Sequence, residues 1–473
     1  MLDRIRLLWY NLCVNLWKRA LSARTRKVKR MTNRFPQKAA ALLLLACIFS
    51  GCTATGINNE LTDSSFSSAE ASSSAEITSS TEEISSSVQP EPEPEPLKLA
   101  PDYDGFSKAM DKTMSYCDIM GMSVAVFKDD EILYTYSGGY ADYENKIPFT
   151  ADTRSRVASV SKMVTSMVMM TLYDQQKIGP ASNLSDVTGL PFDVEGQEKI
   201  KLWHLMTHTA GFKDTEDFNV KHIQDAKYLL KNSHTSNEPG TAYLYTNFGL
   251  GVAGAVIECV SGEYFFDYAD KVLFKPLGMD AGYNISMISD KASVAKLYDY
   301  SDDSVTDVKN WSRTKYAYTV GGIGNSCYCA QCELIINAKD LARLGMMMTN
   351  DGTLDGVKVL SRDAMSQMEM RFFSAPDYDM GLSVRIYDNL IDDRTIYGHN
   401  GVAFGAVTGL YYDPTDKTGV AVITNGCIPY SDKNGFYKVN KDALNAAYKY
   451  IFDTGDFAKN EPESNNSDTQ TGD

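Results

Sequence analysis

The chain has 473 residues, of which 46 are Lys or Arg and 61 are Asp or Glu, giving a formal net charge of −15 at pH 7. Hydrophobic residues make up 43% and charged residues 23%, which excludes a fully disordered or collagen-like chain. Residues 1–38 carry eleven Lys or Arg and one acidic residue, so the rest of the chain is strongly acidic and suits the phosphate backbone of nucleic acids poorly. We therefore expect no nucleic-acid partner.

Residues 1–51 indicate a basic amino terminus followed by a signal peptide. An unbroken apolar run over 39–49 is too short to span a bilayer but typical of the apolar core of a signal peptide. The sequence Ser-Gly-Cys then resembles a bacterial lipobox and predicts lipidation of Cys52. An uncleaved signal anchor is the alternative. Met31 is a candidate true start, and the alternative for residues 1–30 is a basic amphipathic helix on a membrane surface.

Composition divides the rest of the chain into three parts. Residues 52–97 are rich in Ser and acidic residues and end in a Pro-Glu repeat, which predicts a disordered tether because little apolar surface is available for burial. The repeat itself is expected to be stiff and extended. Residues 98–455 are long enough to bury a large core and form the predicted folded domain. Residues 456–473 are predicted to be a disordered tail.

The folded domain begins and ends with predicted strands and is mostly helical in between. In chain order, the hydrophobic pattern predicts a helix over 106–116, strands over 122–127 and 132–136, helices over 159–173, 202–207, 248–260 and 338–349, strands over 406–412 and 420–424, and a helix over 441–452. This order predicts an α/β (α+β) fold. One antiparallel sheet would be closed by strands from both ends of the domain, with a mostly helical inserted subdomain.

The first motif with chemical meaning opens the helix predicted over 159–173. Ser159 and Lys162 are three residues apart, so their side chains face the same way on the first turn. A serine hydroxyl becomes a good nucleophile when a neighbouring base accepts its proton, and a desolvated lysine can be that base. The helix N-terminus adds N–H groups that favour an oxyanion. Taken alone, this spacing is common and equally describes a helix-opening serine followed by an exposed lysine.

Two later motifs change that interpretation. Tyr-Thr-Asn at 245–247 precedes a glycine-containing apolar helix, and His-Asn-Gly at 399–401 precedes the strand predicted over 406–412. Together with Ser159 and Lys162, they resemble the S-x-x-K, Y-x-N and H/K-x-G motifs of the serine β-lactamase and penicillin-binding-protein superfamily, specifically its class C branch. The resemblance covers about residues 100–455 and implies a β-lactamase/transpeptidase-like fold.

The resemblance also implies a catalytic role for three residues. Ser159 would be the nucleophile that is acylated, and Lys162 would be its proton acceptor or electrostatic partner. Tyr245 would help to transfer protons to the leaving group. Whether the lysine or the tyrosine is the true base stays open at this point.

The same resemblance implies the groups that bind the substrate. Asn247, His399 and Gly401 would contact it, and the backbone N–H groups of Ser159 and Val402 would form the oxyanion hole. Many family members have a lysine in place of His399, and an ordinary histidine loses its charge near pH ~6.5. We therefore expect neutral substrates to be handled well, and the KM of carboxylate-bearing substrates to rise as the histidine loses its proton.

Two other patterns compete with these motifs. Lys-Thr-Gly at 417–419 spells the lysine form of the third motif, but it lies in a turn between two predicted strands, so His399 is favoured. His204 and His208 are four apart on a predicted helix and could bind a metal. Leu205 stands where the zinc-protease signature requires Glu, so no metal and no other cofactor is expected.

Three cysteines cluster at Cys327, Cys329 and Cys332. Clustered thiols can bind a metal, but an exported domain rarely carries an iron–sulfur site, and a disulfide within or beyond the cluster is an equal alternative. The domain has three further cysteines, which are Cys117, Cys259 and Cys427. An even count permits pairing without establishing it.

These features together predict a serine hydrolase that works through an acyl-enzyme and is lipid-anchored at the extracellular face of the bacterial cell membrane. The resemblance implies small-molecule or peptidoglycan-derived substrates, namely D-amino-acid peptides, small esters or β-lactams, and placement at a surface favours a cell-wall peptidase or esterase. The alternative is a non-catalytic, penicillin-binding-protein-like binding module of the cell envelope, against which the filled catalytic positions count. The oligomeric state is left open.

Overall fold

The computed structural model describes residues 100–189, 196–215, 232–301, 304–308 and 329–453. The predicted signal peptide, the lipidation site Cys52, the tether, the carboxy-terminal tail and Cys327 lie outside these ranges. The predictions about them therefore stay predictions.

Each predicted helix and strand corresponds to a described element, and further elements, including β12 and β13, were not predicted. The helices are α1 (Tyr103–Tyr116), α2 (Val160–Asp174), α3 (Leu184–Thr188), α4 (Leu202–Met206), α5 (Asn247–Ser261), α6 (Phe265–Ala269), α7 (Ala338–Thr349), α8 (Arg362–Glu369) and α9 (Lys438–Ala447). The strands are β1 (Gly121–Lys128), β2 (Glu131–Asp142), β3 (Ile147–Pro148), β4 (Ser155–Arg156), β5 (Tyr298–Ser301), β6 (Ser304–Val308), β7 (Ile335–Ile336), β8 (Thr353–Leu354), β9 (Val357–Lys358), β10 (Phe373–Ser374), β11 (Asp379–Met380), β12 (Arg385–Ile391), β13 (Arg394–Ala403), β14 (Ala406–Asp413) and β15 (Thr418–Thr424).

The main sheet is antiparallel and runs in the order β10-β11-β12-β13-β14-β15-β1-β2-β3 within the described ranges. Strand β1 pairs with β15 from Met122 opposite Thr424 to Lys128 opposite Thr418. Strands from the two ends of the folded domain therefore meet inside one sheet. This pairing confirms the predicted fold, in which both termini close the sheet.

Helices cover both faces of the sheet. On one face, Phe106 of α1 and Val439 of α9 pack in a buried cluster with Val124 of β1. On the other face, Leu341 of α7 and the inserted helices pack in a second cluster with Phe127 of the same strand. Side chains alternate between the faces of a strand, so β1 is buried on both sides and reads as a continuous apolar run.

Helix α2 lies deep in the second cluster. Its residues from Val160 to Leu172 are all buried, including the polar Lys162 and Ser166. A helix that is apolar almost all round is stable only inside a core. The first turn of α2 is therefore held rigidly, close to the main sheet.

Only a bent pair of helices in the part of the chain that the structure describes is compatible with a membrane span by length and composition. No single helix there is long and apolar enough, whereas Asn247–Ser261 and Phe265–Phe274 meet both criteria when taken together across a bend of 76°.

Candidate active site

Ser159 lies in a sharp turn between β4 and α2 and is the N-cap residue of that helix. The preceding Ala158 has a φ of +47°, a left-handed conformation that is unfavourable for a residue with a Cβ and is often found at functional sites. Thr408 of β14 stabilises the turn, because its Oγ1 donates to the carbonyl oxygen of Val157 at 2.7 Å. The turn leaves the Ser159 side chain partly exposed at the end of a buried helix.

Strand β13 passes directly beside this turn, and Gly401 is its point of close approach. A Cβ on Gly401 would lie 2.3 Å from the carbonyl oxygen of Val157 and 3.0 Å from the backbone nitrogen of Ser159, so the position requires glycine. Val402 follows on the same strand. The structure thus places beside each other the two residues whose backbone N–H groups form the predicted oxyanion hole.

Lys162 is completely buried, and its amine has three acceptors. Its Nζ lies 3.0 Å from Ser159 Oγ, 2.9 Å from Asn247 Oδ1 and 2.9 Å from the carbonyl oxygen of Gln331. Two of these acceptors are fixed by the scaffold, so they orient the third position of the amine toward the serine hydroxyl. This geometry allows proton transfer between Ser159 and Lys162 without rearrangement.

Asn247 is held by Asp214, a carboxylate that the sequence analysis missed. Asp214 accepts hydrogen bonds from the backbone nitrogen of Asn247 at 2.8 Å, from its Nδ2 at 2.9 Å and from the backbone nitrogen of Phe248 at 2.9 Å. Because Nδ2 is bound to a carboxylate, Oδ1 must point the other way, toward Lys162. One Nδ2 hydrogen is left for the substrate contact predicted for Asn247.

The ring of Tyr245 lies at the centre of the site. The ring centroid of His208 is 4.3 Å away and that of His399 is 6.4 Å away. Lys162 Nζ lies 5.1 Å and Arg385 Cζ lies 5.7 Å from the centroid of the Tyr245 ring. The structure therefore brings Tyr245 together with the other predicted residues and adds a second cation.

His399 is fully buried, and its charge differs from the expectation. Its Nδ1 lies 2.6 Å from the carbonyl oxygen of Asn400 and donates to it, so Nε2 is an acceptor, and Nε2 has no partner among the described residues. Burial, with the charges of Arg385 and Lys162, lowers the pKa of His399 well below its usual 6.5. The expected titration of His399 in the neutral range is therefore wrong, because the imidazole is already neutral there.

The permanent positive charge of this side of the site comes from Arg385, a second residue that the sequence analysis missed. Arg385 begins β12 and pairs with Gly398, the residue before His399. Its Nη1 donates to Asn400 Oδ1, and its guanidinium carbon lies 4.6 Å from the centre of the Tyr378 ring. Its Nε has no hydrogen-bond partner, and no carboxylate in the described ranges pairs with the guanidinium.

The beta-lactamase family model matches residues 106–439 of the chain. The protein belongs to the β-lactamase family. A protein from Escherichia coli O157:H7, provisionally named a D-alanyl-D-alanine carboxypeptidase, is 22% identical over 392 residues, which cover 72% of this chain and 88% of that protein. Family membership, with Ser159 and Lys162 in place, makes the chain a serine hydrolase.

Solved structures of the same fold align with most of the chain. The octameric penicillin-binding protein homologue from Pyrococcus abyssi has a TM-score of 0.62 and 20% identity, over 74% of this chain and 79% of that one. The D-amino acid amidase from Ochrobactrum anthropi SV3 has a TM-score of 0.58 and 19% identity, over 72% of this chain and 98% of that one. These similarities confirm the β-lactamase/transpeptidase-like fold.

Lys417 lies apart from the active site of this β-lactamase-family hydrolase. It is in the turn between β14 and β15, with a φ of +52°, and its Nζ lies 3.4 Å from Asn350 Oδ1. The backbone carbonyl of Lys417 accepts a hydrogen bond from Asp129 at 2.7 Å. The Lys-Thr-Gly sequence therefore belongs to a hairpin turn.

The two histidines considered as a metal pair serve the scaffold instead. His204 Nδ1 accepts from the backbone nitrogen of Lys201 at 2.9 Å, and His208 Nδ1 accepts from that of Thr246 at 3.2 Å. Burial lowers the pKa of His204 to about 4 and that of His208 well below 6.5. Among the described residues, no group of three or more His, Cys, Asp or Glu side chains is placed to hold a metal ion.

The described part of the cysteine cluster lies in and next to the turn that contacts Lys162. Cys329 begins a short 3₁₀ turn that ends at Gln331, whose carbonyl oxygen accepts from the lysine. Cys329 is buried and Cys332 is half-buried. None of the described cysteines is joined in a disulfide.

Proposed function

We propose that the protein is a carboxypeptidase that removes a C-terminal D-amino acid from a cell-wall peptide. The observation that carries the proposal is Arg385, a half-buried guanidinium without an ion-pair partner in the described ranges, next to Tyr245 and Asn400. A partly desolvated cation favours an anionic ligand, and guanidinium binds carboxylate in two-point geometry. The free carboxylate of a D-alanyl peptide supplies that anion, whereas a small neutral ester does not.

Acylation would begin with the Ser159 hydroxyl. A neutral Lys162 keeps its two N–H donors on Asn247 Oδ1 and the Gln331 carbonyl and turns its lone pair toward Ser159 Oγ. Oγ attacks the peptide carbonyl carbon while its proton passes to the amine. The oxyanion would be stabilised by the backbone N–H groups of Ser159 and Val402.

Tyr245 would complete the proton transfers. Its ring lies close to both Lys162 and Arg385. Its phenolic oxygen would pass protons between the lysine and the leaving amine. The amine must gain a proton before the D-amino acid departs. In deacylation a water would attack the acyl carbon, the bond from that carbon to Ser159 Oγ would break, and the proton of the water would pass through Tyr245 and Lys162 to Oγ.

The name of the Escherichia coli relative supports the same substrate class. We propose further that the domain acts at the outer face of the cell membrane, held by a lipid on Cys52 and by the tether over 52–97. The lipobox-like sequence and the composition of the tether support this placement. Cys52→Ala should abolish lipidation and move the protein out of the detergent phase, and unchanged partitioning without detectable lipid would contradict the anchor.

A substrate panel tests the proposed activity. Purified protein should release D-alanine from a peptide that ends in D-Ala-D-Ala with a higher kcat/KM than it hydrolyses a p-nitrophenyl ester or nitrocefin. Ser159→Ala should be inactive on all three. Faster turnover of the ester or the β-lactam would contradict the proposal, and a fluorescent penicillin that binds without turnover of any substrate would favour the non-catalytic binding module.

A further inference from the structure

Cys117 and Cys427 lie side by side, far from each other in the sequence. Cys117 is the C-cap residue of α1, and Cys427 follows the end of β15. The backbone nitrogen of Ile428 donates to the carbonyl oxygen of Cys117 at 2.9 Å, and that of Met120 donates to Gly426 at 2.9 Å. Two such bonds hold the segments at the ~5 Å spacing of neighbouring strands, which lies within the Cα separation that a disulfide needs.

The two sulfur atoms are in contact and shielded from solvent. Both side chains have no exposed surface, and the two thiols lie close enough that each shifts the pKa of the other. Cys427 Sγ also lies 3.2 Å from the carbonyl oxygen of Ile428, to which it can donate.

We propose that Cys117 and Cys427 are a redox pair that closes to a disulfide and fastens α1 to the end of the central strand β15. One of the two thiolates attacks a disulfide of the oxidant, either a small-molecule disulfide or a protein thiol–disulfide oxidoreductase, and releases one thiol of the oxidant. The other thiolate then attacks the mixed disulfide and releases the second thiol. Two electrons and the two thiol protons pass to the oxidant.

Burial fixes when this reaction takes place and what it achieves. An oxidant reaches the sulfurs before α1 docks on the sheet or when α1 briefly detaches, because neither thiol is exposed in the folded domain. The resulting loop runs from residue 117 to residue 427 and encloses most of the folded domain, which is the case in which a cross-link restricts the unfolded chain most. The inference is independent of the proposed substrate, since neither sulfur belongs to the active site.

The test measures both the bond and its effect in the full-length chain. The protein is purified after folding with oxidised glutathione, and one half is then reduced with dithiothreitol. Peptide mapping without reduction should join the peptides that contain Cys117 and Cys427, with a loss of two hydrogens. Reduction should separate them and lower the Tm by roughly 5–10 °C.

Variants separate the disulfide from simple packing. Cys117→Ser and Cys427→Ser should each abolish the difference in Tm between oxidised and reduced protein, whatever the starting Tm of the variant. Cys259→Ser, at an exposed cysteine, should retain the full difference. Alkylation of both thiols without prior reduction, or linkage of either cysteine to Cys329 or Cys332 instead, would overturn the inference.

Discussion

The two sides of the active site differ in how much of their hydrogen-bonding capacity the protein itself uses. On the α2 side, formed by Ser159, Lys162 and Asn247, the lysine has three acceptors and the asparagine is bound at both ends. On the β13 side, formed by His399, Asn400 and Arg385, the atoms His399 Nε2 and Arg385 Nε have no partner in the described part of the chain. Apart from one Nδ2 hydrogen of Asn247, the first side uses its hydrogen-bonding groups within the protein, whereas the second side is open.

This difference indicates which side performs the chemistry and which side receives the ligand. Fully satisfied donors and acceptors fix side chains in one geometry, which an acid–base group needs. An unsatisfied buried polar group costs about 1–3 kcal/mol, so a folded protein tolerates one mainly where a ligand can supply the missing partner. The α2 side therefore holds the reacting groups in place, and the β13 side has hydrogen-bonding groups available for a ligand.

Loss of the nucleophile on the α2 side should have the largest effect. Ser159→Ala should reduce turnover by about 10⁴-fold or more, with little change in Tm, because Ser159 is partly exposed. Ser161→Ala is the matched control two residues later. Its Oγ accepts from the backbone nitrogen of Leu334 at 3.1 Å, so its loss should lower Tm and leave kcat unchanged. Loss of kcat in Ser161→Ala, with Ser159→Ala still active, would show that the wrong face of α2 has been assigned.

Release of Asn247 from its carboxylate should have an intermediate effect. Asp214→Ala frees the asparagine amide to rotate and should reduce kcat roughly 10- to 100-fold by loosening an acceptor of Lys162. Thr246→Ala is the control at the same helix end, because its side chain caps Gly249 and does not touch Asn247. It should lower Tm with little change in kcat. Equal kcat values for the two variants would show that Asp214 acts only as a helix cap.

The α2 side was predictable from the sequence because its chemistry follows local spacing. Ser159 and Lys162 lie on one helical turn, so four consecutive residues are enough to recognise the motif. The same holds for the fold, where strand and helix periods predicted α7 with the bounds Ala338–Thr349. The preference for His399 over Lys417 rests on its place before a predicted strand, which is also a local observation.

Arg385 and Asp214 could not be predicted in the same way. Arg385 meets His399 and Asn400 through the register of β12 against β13, and no short spacing indicates that register. Asp214 reaches Asn247 across 33 positions through a loop. The charge of His399 depends on burial and on those distant cations, so the usual pKa of a histidine was a poor guide.

The pH dependence of KM distinguishes substrate binding by the fixed charge of Arg385 from binding by a titrating His399, which the sequence suggested. Because the pKa of His399 is lowered, the ring gains a proton only in acid, and the charge of Arg385 does not change near neutrality. The KM for a carboxylate-bearing peptide should therefore stay level between about pH 6 and pH 9. A KM that rises as pH passes through the usual histidine range would contradict the structure and restore the titration hypothesis.

Lys417→Ala should have the smallest effect, since the residue belongs to neither side of the site. Its amine contacts Asn350 in a turn, so the variant should keep kcat and KM for charged and neutral substrates alike. The measurement is steady-state kinetics on a D-alanyl peptide and a neutral ester. A large loss of activity would show that the third motif is Lys-Thr-Gly at 417–419 after all.

The most direct test of the open β13 side compares one peptide in two forms, with a free C-terminal carboxylate and with a C-terminal carboxamide. Wild-type protein should prefer the carboxylate form in kcat/KM, and Arg385→Met should reduce that preference by about 10²-fold, the usual worth of a charge-assisted hydrogen-bond pair. The loss should appear mainly in KM, with the carboxamide form little affected. Equal preference in wild type and Arg385→Met would contradict the account, because it would show that the Arg385 guanidinium does not bind the substrate.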